Sequence, residues 1–345
     1  MNNIYNLDFV EIESYLIDDG EPSYRAKQIW KGLYQHRYFA WEEFSSLPKS
    51  LRQKLEELFS ITSIVKVSSV FSNDLQTEKV LFRLKDSSYI ESVLLRNDNR
   101  LTLCISTQSG CPVGCVFCAT GNLGFKRNLS SGEIIEQVIF FIKALKPNAE
   151  KLTNIVLMGM GEPFLNYDNT ISAVTRLNDA NGLNIGARRI TISTIGIIDR
   201  IKQFSEKELQ INLSVSLHAP NDQLRDHLVP LTKKFPLLDL INACRSYFDK
   251  TNRRITFEYV MIKGINDSPI LALELVTLLK GLNCHVNLIP LNPTSHFSGK
   301  PSDASTIREF GRILIEKGIA ASIRDSQGAD IQAGCGQLAG MIIQG

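Results

Sequence analysis

The chain has 345 residues, 43% of them apolar, and a formal net charge of +2. That size and apolar content can bury a substantial core, as one large domain with an appendage or as two domains. The near-neutral balance excludes a globally basic nucleic-acid binder, so any RNA contact must come from local patches. No apolar run of about 18 residues is present, and the start, Met-Asn-Asn-Ile-Tyr, lacks a basic stretch followed by an apolar one. Neither a membrane span nor secretion is predicted. Seven cysteines, an odd number with three crowded into one loop, predict reduced thiols in a cytoplasmic protein.

Residues 1–60 read as a small helical domain. Ser23 can cap a helix reaching about His36, with Ala26, Ile29, Trp30 and Leu33 as its apolar stripe; Pro48 and Ser50 open another, carrying Leu51, Leu55 and Leu58. Arg25, Lys27, Lys31, Arg37, Lys49, Arg52 and Lys54 make this stretch basic, as solvated helix faces or as a platform for RNA phosphates. Residues 61–96 turn to strands, with 78–84 and 89–95 flanking the polar turn Lys85-Asp86-Ser87-Ser88 as a connecting β-hairpin. Glu91 lies in its second strand.

From about residue 97 to 330, strands and helices alternate. Strands are predicted at 101–105, 154–158, 189–193, 211–217, 255–262 and 285–291, and helices at 131–145, 167–180, 197–206, 236–250, 268–281 and 303–318. Ser130-Ser131-Gly132-Glu133 is a capping box for the first of these helices. The alternation predicts an α/β fold with a parallel sheet covered by helices. Six units suit a partial (β/α)6 barrel with its chemistry at the C-terminal ends of the strands. Residues 331–345 follow as a C-terminal segment.

The loop after the first barrel strand, 111–121, carries Cys111, Cys115 and Cys118 in the spacing C-x3-C-x2-C. Three thiolates at this spacing can hold three corners of an iron–sulfur cube and leave the fourth iron open. Structural zinc asks for four ligands, which only Cys104 could complete here. Met158-Gly159-Met160-Gly161-Glu162-Pro163 follows the second strand, and its glycines allow a backbone to approach a ligand. Ser193 ends the third strand, Ser216-Leu217-His218 the fourth, and Asn292 follows the sixth. Cys335 stands between Gly334 and Gly336 near the chain end, which suggests an accessible thiol, whereas Cys244 and Cys284 read as inert core.

The cysteine spacing, with Phe117 before the last cysteine, resembles the signature of radical S-adenosylmethionine (SAM) enzymes. Taken with Tyr24-Arg25-Ala26-Lys27-Gln28, Cys104, Gly-Phe-Lys-Arg-Asn-Leu at 124–129, Gly-Met-Gly-Glu-Pro, Ser-Leu-His and the Cys335 segment, the chain resembles the RlmN family of adenine-C2 RNA methyltransferases over nearly its full length. The resemblance implies a [4Fe-4S] cluster held by Cys111, Cys115 and Cys118. It implies SAM, two per turnover, contacted by Gly161, Glu162, Ser193, Ser216, Leu217, His218 and Asn292. By the same resemblance Cys335 receives a methyl group, a radical formed on that group adds to adenine C2, and Cys104 resolves the protein–RNA link through a transient disulfide with Cys335. Glu91 matches the family's proton acceptor. The implied substrates are adenosine 2503 of 23S rRNA and adenosine 37 of tRNAs, with a flavodoxin or ferredoxin system as electron donor and a monomeric enzyme. The basic pairs Lys126-Arg127, Arg188-Arg189, Lys233-Lys234 and Arg253-Arg254 are candidate RNA-backbone contacts. Two alternatives stand beside this reading: the C8-methylating Cfr branch, against which Pro163 argues because that branch carries Ala there, and a non-catalytic, zinc-stabilised RNA-binding protein.

Overall fold

The computed structural model describes residues 2–97, 100–324 and 327–339. A ten-stranded sheet dominates it. In chain order its strands are β1 (Ile64–Phe71), β2 (Thr77–Leu84), β3 (Tyr89–Asn97), β4 (Arg100–Cys104), β5 (Asn154–Leu157), β6 (Ile190–Thr194), β7 (Asn212–Ser216), β8 (Ile255–Met261), β9 (Cys284–Pro290) and β10 (Ala320–Ile323). The strands from β4 to β10 run parallel, and β1 to β4 are antiparallel neighbours. The sheet is thus an open, mixed one, a parallel partial barrel with an antiparallel extension.

The six expected strand–helix units are all present, with ends differing by a few residues. A seventh parallel strand, β10, was not expected. Its Ala-Ala-Ser-Ile sequence is largely exposed at the sheet edge, and only pairing with β9 defines it. The hairpin forms as β2 and β3, with Ser87 in the left-handed region at φ 64°. β1 adds a third strand to it.

Along the parallel strands, successive side chains point to opposite faces, and here the two faces differ chemically. Ile190, Ile192, Leu213, Val215, Phe257 and Tyr259 are at most 1% exposed. Their neighbours Thr191, Ser193, Ser214, Ser216, Thr256 and Glu258 line cavities inside the barrel. Burying each aliphatic side chain is worth about 1.5–3 kcal/mol, so the helix-covered face holds the barrel together and leaves its interior free for polar groups.

The N-terminal helices are Phe9–Asp18, Tyr24–Lys31 and Lys49–Leu58. Ser23 makes no side-chain cap, and the second helix passes into a π-helical turn over Gly32–His36, where a Cβ on Gly32 would sit 2.2 Å from the Phe44 ring. The Ser130 capping box forms: the Ser130 N–H donates to Glu133 at 2.9 Å and the Glu133 N–H to Ser130 Oγ at 3.3 Å. Several basic residues of the expected RNA patches are bonded within the chain. Arg127 pairs with Glu133 at 2.8 Å and with Asp86 at 2.5 Å, Arg52 donates to Glu42 O, and Lys54 contacts Asp19.

Two buried side chains fasten the N-terminal region to the barrel. Arg176 donates to Tyr5 O and, at 3.1 Å, to Leu7 O. Glu136 accepts from Ser63 N at 2.7 Å and Ile64 N at 3.3 Å, and contacts Asn3 Nδ2 and Ser63 Oγ. Burial pushes the Glu136 carboxyl up to about 7 from 4.5, against the lowering effect of these donors. A carboxyl raised in the folded state favours folding below its unfolded value and loses that advantage as pH rises through its folded value. Urea melts of Glu136→Gln and the unsubstituted protein are therefore expected to shift relative to one another by about 2–3 kcal/mol in the variant's favour between pH 5 and pH 8. A gap independent of pH would show that Glu136 is ionised throughout.

Candidate active site

The loop after β4 is shaped by contacts that fix each cysteine. Gly110 has φ +75°, and a Cβ there would lie 1.9 Å from Gly124 O. The Cys118 N–H donates to Cys115 O at 3.1 Å, and the Val116 N–H to Leu228 O at 3.0 Å. Cys111, Cys115 and Cys118 line one cavity. Burial raises all three thiols, Cys111 to about 12, and mutual repulsion raises Cys115 further. Against burial, N–H groups of Thr120 and Gly121 and the Thr120 hydroxyl favour the Cys118 thiolate, and the Val113 N–H favours that of Cys111.

Gly161, Glu162, Ser193, Ser216, His218, Asn292 and Cys335 line the same cavity. Leu217 does not; its side chain is fully buried, its N–H donates to Glu258 O and its carbonyl accepts from Arg225. Gly161 has φ +103° and would bring a Cβ to 2.5 Å from Gln108 Cβ. Glu162 accepts from Phe164 N at 2.9 Å and from Ile195 N at 2.8 Å, joining the loops that follow β5 and β6. Burial pushes its carboxyl up to about 7. His218 is held at φ 60°, and its Nδ1 accepts from the Val260 N–H at 3.1 Å, which leaves the ring hydrogen on Nε2. Burial and the nearby Arg225 cation lower its pKa to about 3, and the Phe117 ring meets it edge-on at 5.0 Å.

The C-terminal segment closes the site. Asn292 Nδ2 donates to Cys335 O at 3.0 Å, Gln337 Nε2 to Pro293 O at 2.8 Å, and the Ala119 N–H to Gly336 O at 2.7 Å. Cys335 is exposed and also lines a second cavity, shared with Cys104 and Arg324. Burial, and the neighbouring Cys335, push the Cys104 thiol up to about 12, while the Arg324 guanidinium draws it down. All seven cysteines are free. Glu91 lines neither cavity. It is fully buried, 3.3 Å from Lys79 Nζ, and accepts from the Ala339 N–H at 3.1 Å.

Residues 105–275 match the Radical SAM superfamily, and residues 2–61 match the ribosomal RNA large subunit methyltransferase N-terminal domain. A probable dual-specificity RNA methyltransferase RlmN from Dictyoglomus thermophilum is 44% identical across 100% of this chain and 98% of its own. One from Staphylococcus aureus is 46% identical over 97% and 92%. The crystal structure of a radical SAM methyltransferase from Sphaerobacter thermophilus superposes with a TM-score of 0.95 at 46% identity, covering 98% of this chain and 99% of that one. The chain belongs to the RlmN family.

Membership makes it a radical SAM RNA methyltransferase, with the [4Fe-4S] cluster and SAM that this superfamily uses. The cavity suits the RlmN cofactors. Buried thiols resist ionisation until a cation shares their charge, and the N–H donors at Cys111 and Cys118 suit thiolate ligands. Among the described residues, no three Cys, His, Asp or Glu side chains converge on a single-ion site. No helix of the described residues is long and apolar enough to cross a membrane.

Two charged cavity residues, Glu258 and Arg324, escaped the reading of the sequence. Glu258, 4% exposed, accepts from Ser214 Oγ at 2.8 Å, while its buried Oε2 has no hydrogen-bond partner among the described residues. A glutamate amid the apolar 255–262 stretch was the available signal. Arg324 follows the unexpected strand β10 and had none. Gly161→Ala is expected to weaken SAM binding to the reconstituted enzyme at least tenfold and to cost about 1–3 kcal/mol of stability, because both the φ and the Gln108 contact forbid a Cβ. SAM titration and thermal melting check this; unchanged binding would separate this turn from the cofactor.

Proposed function

We propose that this RlmN-family enzyme methylates C2 of adenosine 2503 in 23S rRNA and of adenosine 37 in tRNAs, with Cys335 as methyl acceptor and Cys104 as resolving thiol. The carrying observation is that Cys335 lies on the wall between two cavities, one lined by the three motif cysteines and the other by Cys104. Adenine C2 is electron-poor and does not displace a methyl group from a sulfonium, so the methyl must first rest on a stronger nucleophile, which a cysteine supplies. When bound, the cluster and SAM supply the methyl group and the one-electron chemistry that activates it, two SAM being used per turnover.

Cys111, Cys115 and Cys118 are the cluster ligands in this reading, and Gly161, Glu162, Ser193, Ser216, His218 and Asn292 surround SAM. Leu217 contributes through the turn it anchors. Asn292 orients Cys335 through the hydrogen bond to its carbonyl. The target base enters splayed out of its stack. Cys104 then attacks the Cys335 sulfur and breaks its bond to the carbon carried by adenine, which takes a proton as the product leaves. The resulting Cys104–Cys335 disulfide must be reduced before another turnover, and the external electron donor of the enzyme is of flavodoxin or ferredoxin type. Glu91 is the proton acceptor in this reading. Arg188, Arg189, Lys233, Lys234, Arg253, Arg254 and Lys126 remain the candidate phosphate contacts, on a cytoplasmic monomer. The helical start, residues 1–60, forms the RNA-binding accessory domain, 61–96 the connecting region, 97–330 the catalytic barrel, and 331–345 the acceptor segment.

Anaerobic turnover with a 23S rRNA fragment and nucleoside mass spectrometry tests this. The expected product is 2-methyladenosine, lost at least a thousandfold in Cys335→Ala; 8-methyladenosine instead would move the enzyme to C8 chemistry. Cys104→Ala is expected to leave protein covalently attached to RNA on denaturing gels. Release of free methylated RNA from that variant would remove its resolving role.

A further inference from the structure

The mechanism gives Glu91 a role as proton acceptor but none to Lys79, its buried ion-pair partner. They lie on adjacent strands, β2 and β3, two residues apart in register, since Leu81 faces Glu91 and Lys79 faces Val93. Their side chains are 2% and 0% exposed. Taking two charges out of water costs more than their attraction alone usually returns, unless further hydrogen bonds complete both groups. Here both groups bind the same piece of chain. Lys79 Nζ donates to Gln332 O at 3.1 Å, and Glu91 Oε2 accepts from the Ala339 N–H at 3.1 Å. Cys335 lies between these two anchors.

Among the described residues, the other hydrogen bonds that reach residues 332–339 from elsewhere come from barrel loops, through Asn292, Ala119, Thr120 and Pro293. The ion pair fastens it to the antiparallel extension, beside the bond that the Asn73 N–H donates to Asp330 Oδ2 at 2.8 Å just before the segment begins. We propose that Lys79 is a positioning residue for the methyl transfer: its ion pair with Glu91 clasps the 332–339 segment on both sides of Cys335 and holds that sulfur on the wall between the two cavities. The role of Lys79 rests on the reading of Cys335 as methyl acceptor. The clasp itself does not.

The arrangement also gives the extension a function. Without β2 and β3 the acceptor segment would lose its bonds at Gln332 and Ala339 and keep those to the barrel rim. A lysine suits this position because its three donors serve a carboxylate and a carbonyl together. Arginine carries the same charge with more donors, so it can replace lysine where the fork has room, whereas methionine keeps the length and loses every bond.

Hydrogen exchange read by mass spectrometry on the reconstituted holoenzyme, together with the rate of methyl incorporation at Cys335, tests the clasp. Lys79→Met is expected to speed exchange in residues 333–339 at least tenfold, leave the β8 amides as protected as before, and slow Cys335 methylation at least tenfold. Lys79→Arg is expected to recover most of both. Ala339→Pro deletes the N–H that Glu91 accepts while leaving the ion pair whole; it should loosen the segment similarly, and it serves if Lys79→Met does not fold. Unchanged exchange in the segment, exchange rising equally through β2, β3 and β8, or equal losses in Lys79→Met and Lys79→Arg would each overturn the clasp. An unsubstituted enzyme that never acquires a methyl group at Cys335 would sink the acceptor reading while leaving the exchange result intact.

Discussion

A parallel sheet with one apolar face and one polar face is the constraint on which the rest of this protein depends. Ile190, Ile192, Leu213, Val215, Phe257 and Tyr259 are buried on the helix-covered side, so the barrel needs no packed interior to be stable. Thr191, Ser193, Ser214, Ser216, Thr256 and Glu258 can therefore be spent on the cavity side. A barrel filled by branched aliphatic side chains has no room for a nucleoside cofactor; one lined with hydroxyls and a carboxylate has both room and hydrogen-bonding groups.

Buried carboxylates do the joining. Glu162 ties the turn after β5 to the turn after β6 through Phe164 N and Ile195 N. Glu136 gathers Asn3, Ser63 and Ile64 and so binds the N-terminal region to the first long barrel helix. Glu91, with Lys79, receives the end of the chain. Each makes several bonds to backbone or to a partner charge, the condition under which a buried acid holds loops in place instead of destabilising them. Three separate parts of the chain are thus fastened to one another by hydrogen bonds to buried acids.

Cys335 illustrates what that fastening achieves. It is exposed, yet its carbonyl is held by Asn292 and its segment is anchored at Gln332, Gly336, Leu338 and Ala339. Gly334 lets the backbone pass close to its neighbour, since a Cβ there would lie 2.7 Å from Asn292 Nδ2, and Gly336 takes a φ of +82°. Accessibility of the thiol and rigidity of its backbone are compatible because the restraints act on carbonyls and N–H groups and leave the sulfur free to face two cavities.

The sequence by itself determined whatever depends on residues close in the chain. The C-x3-C-x2-C spacing, the Gly-Glu-Pro turn, the Ser130 capping box, the β2–β3 hairpin and the strand–helix alternation are set within a turn or a few strand periods, and all were legible. Only the tertiary structure decided that Arg127 is neutralised by Asp86 and Glu133. It also decided that Leu217 turns into the core, that β10 forms on the edge of β9, and that Glu258 and Arg324 enter the cavity. Above all it decided that Lys79 and Glu91 meet Gln332 and Ala339, residues 253 and 248 positions away in the chain. Such pairings leave no periodic trace in a sequence, because a buried charge is satisfied by whichever backbone group the fold brings to it, and any residue type carries that group.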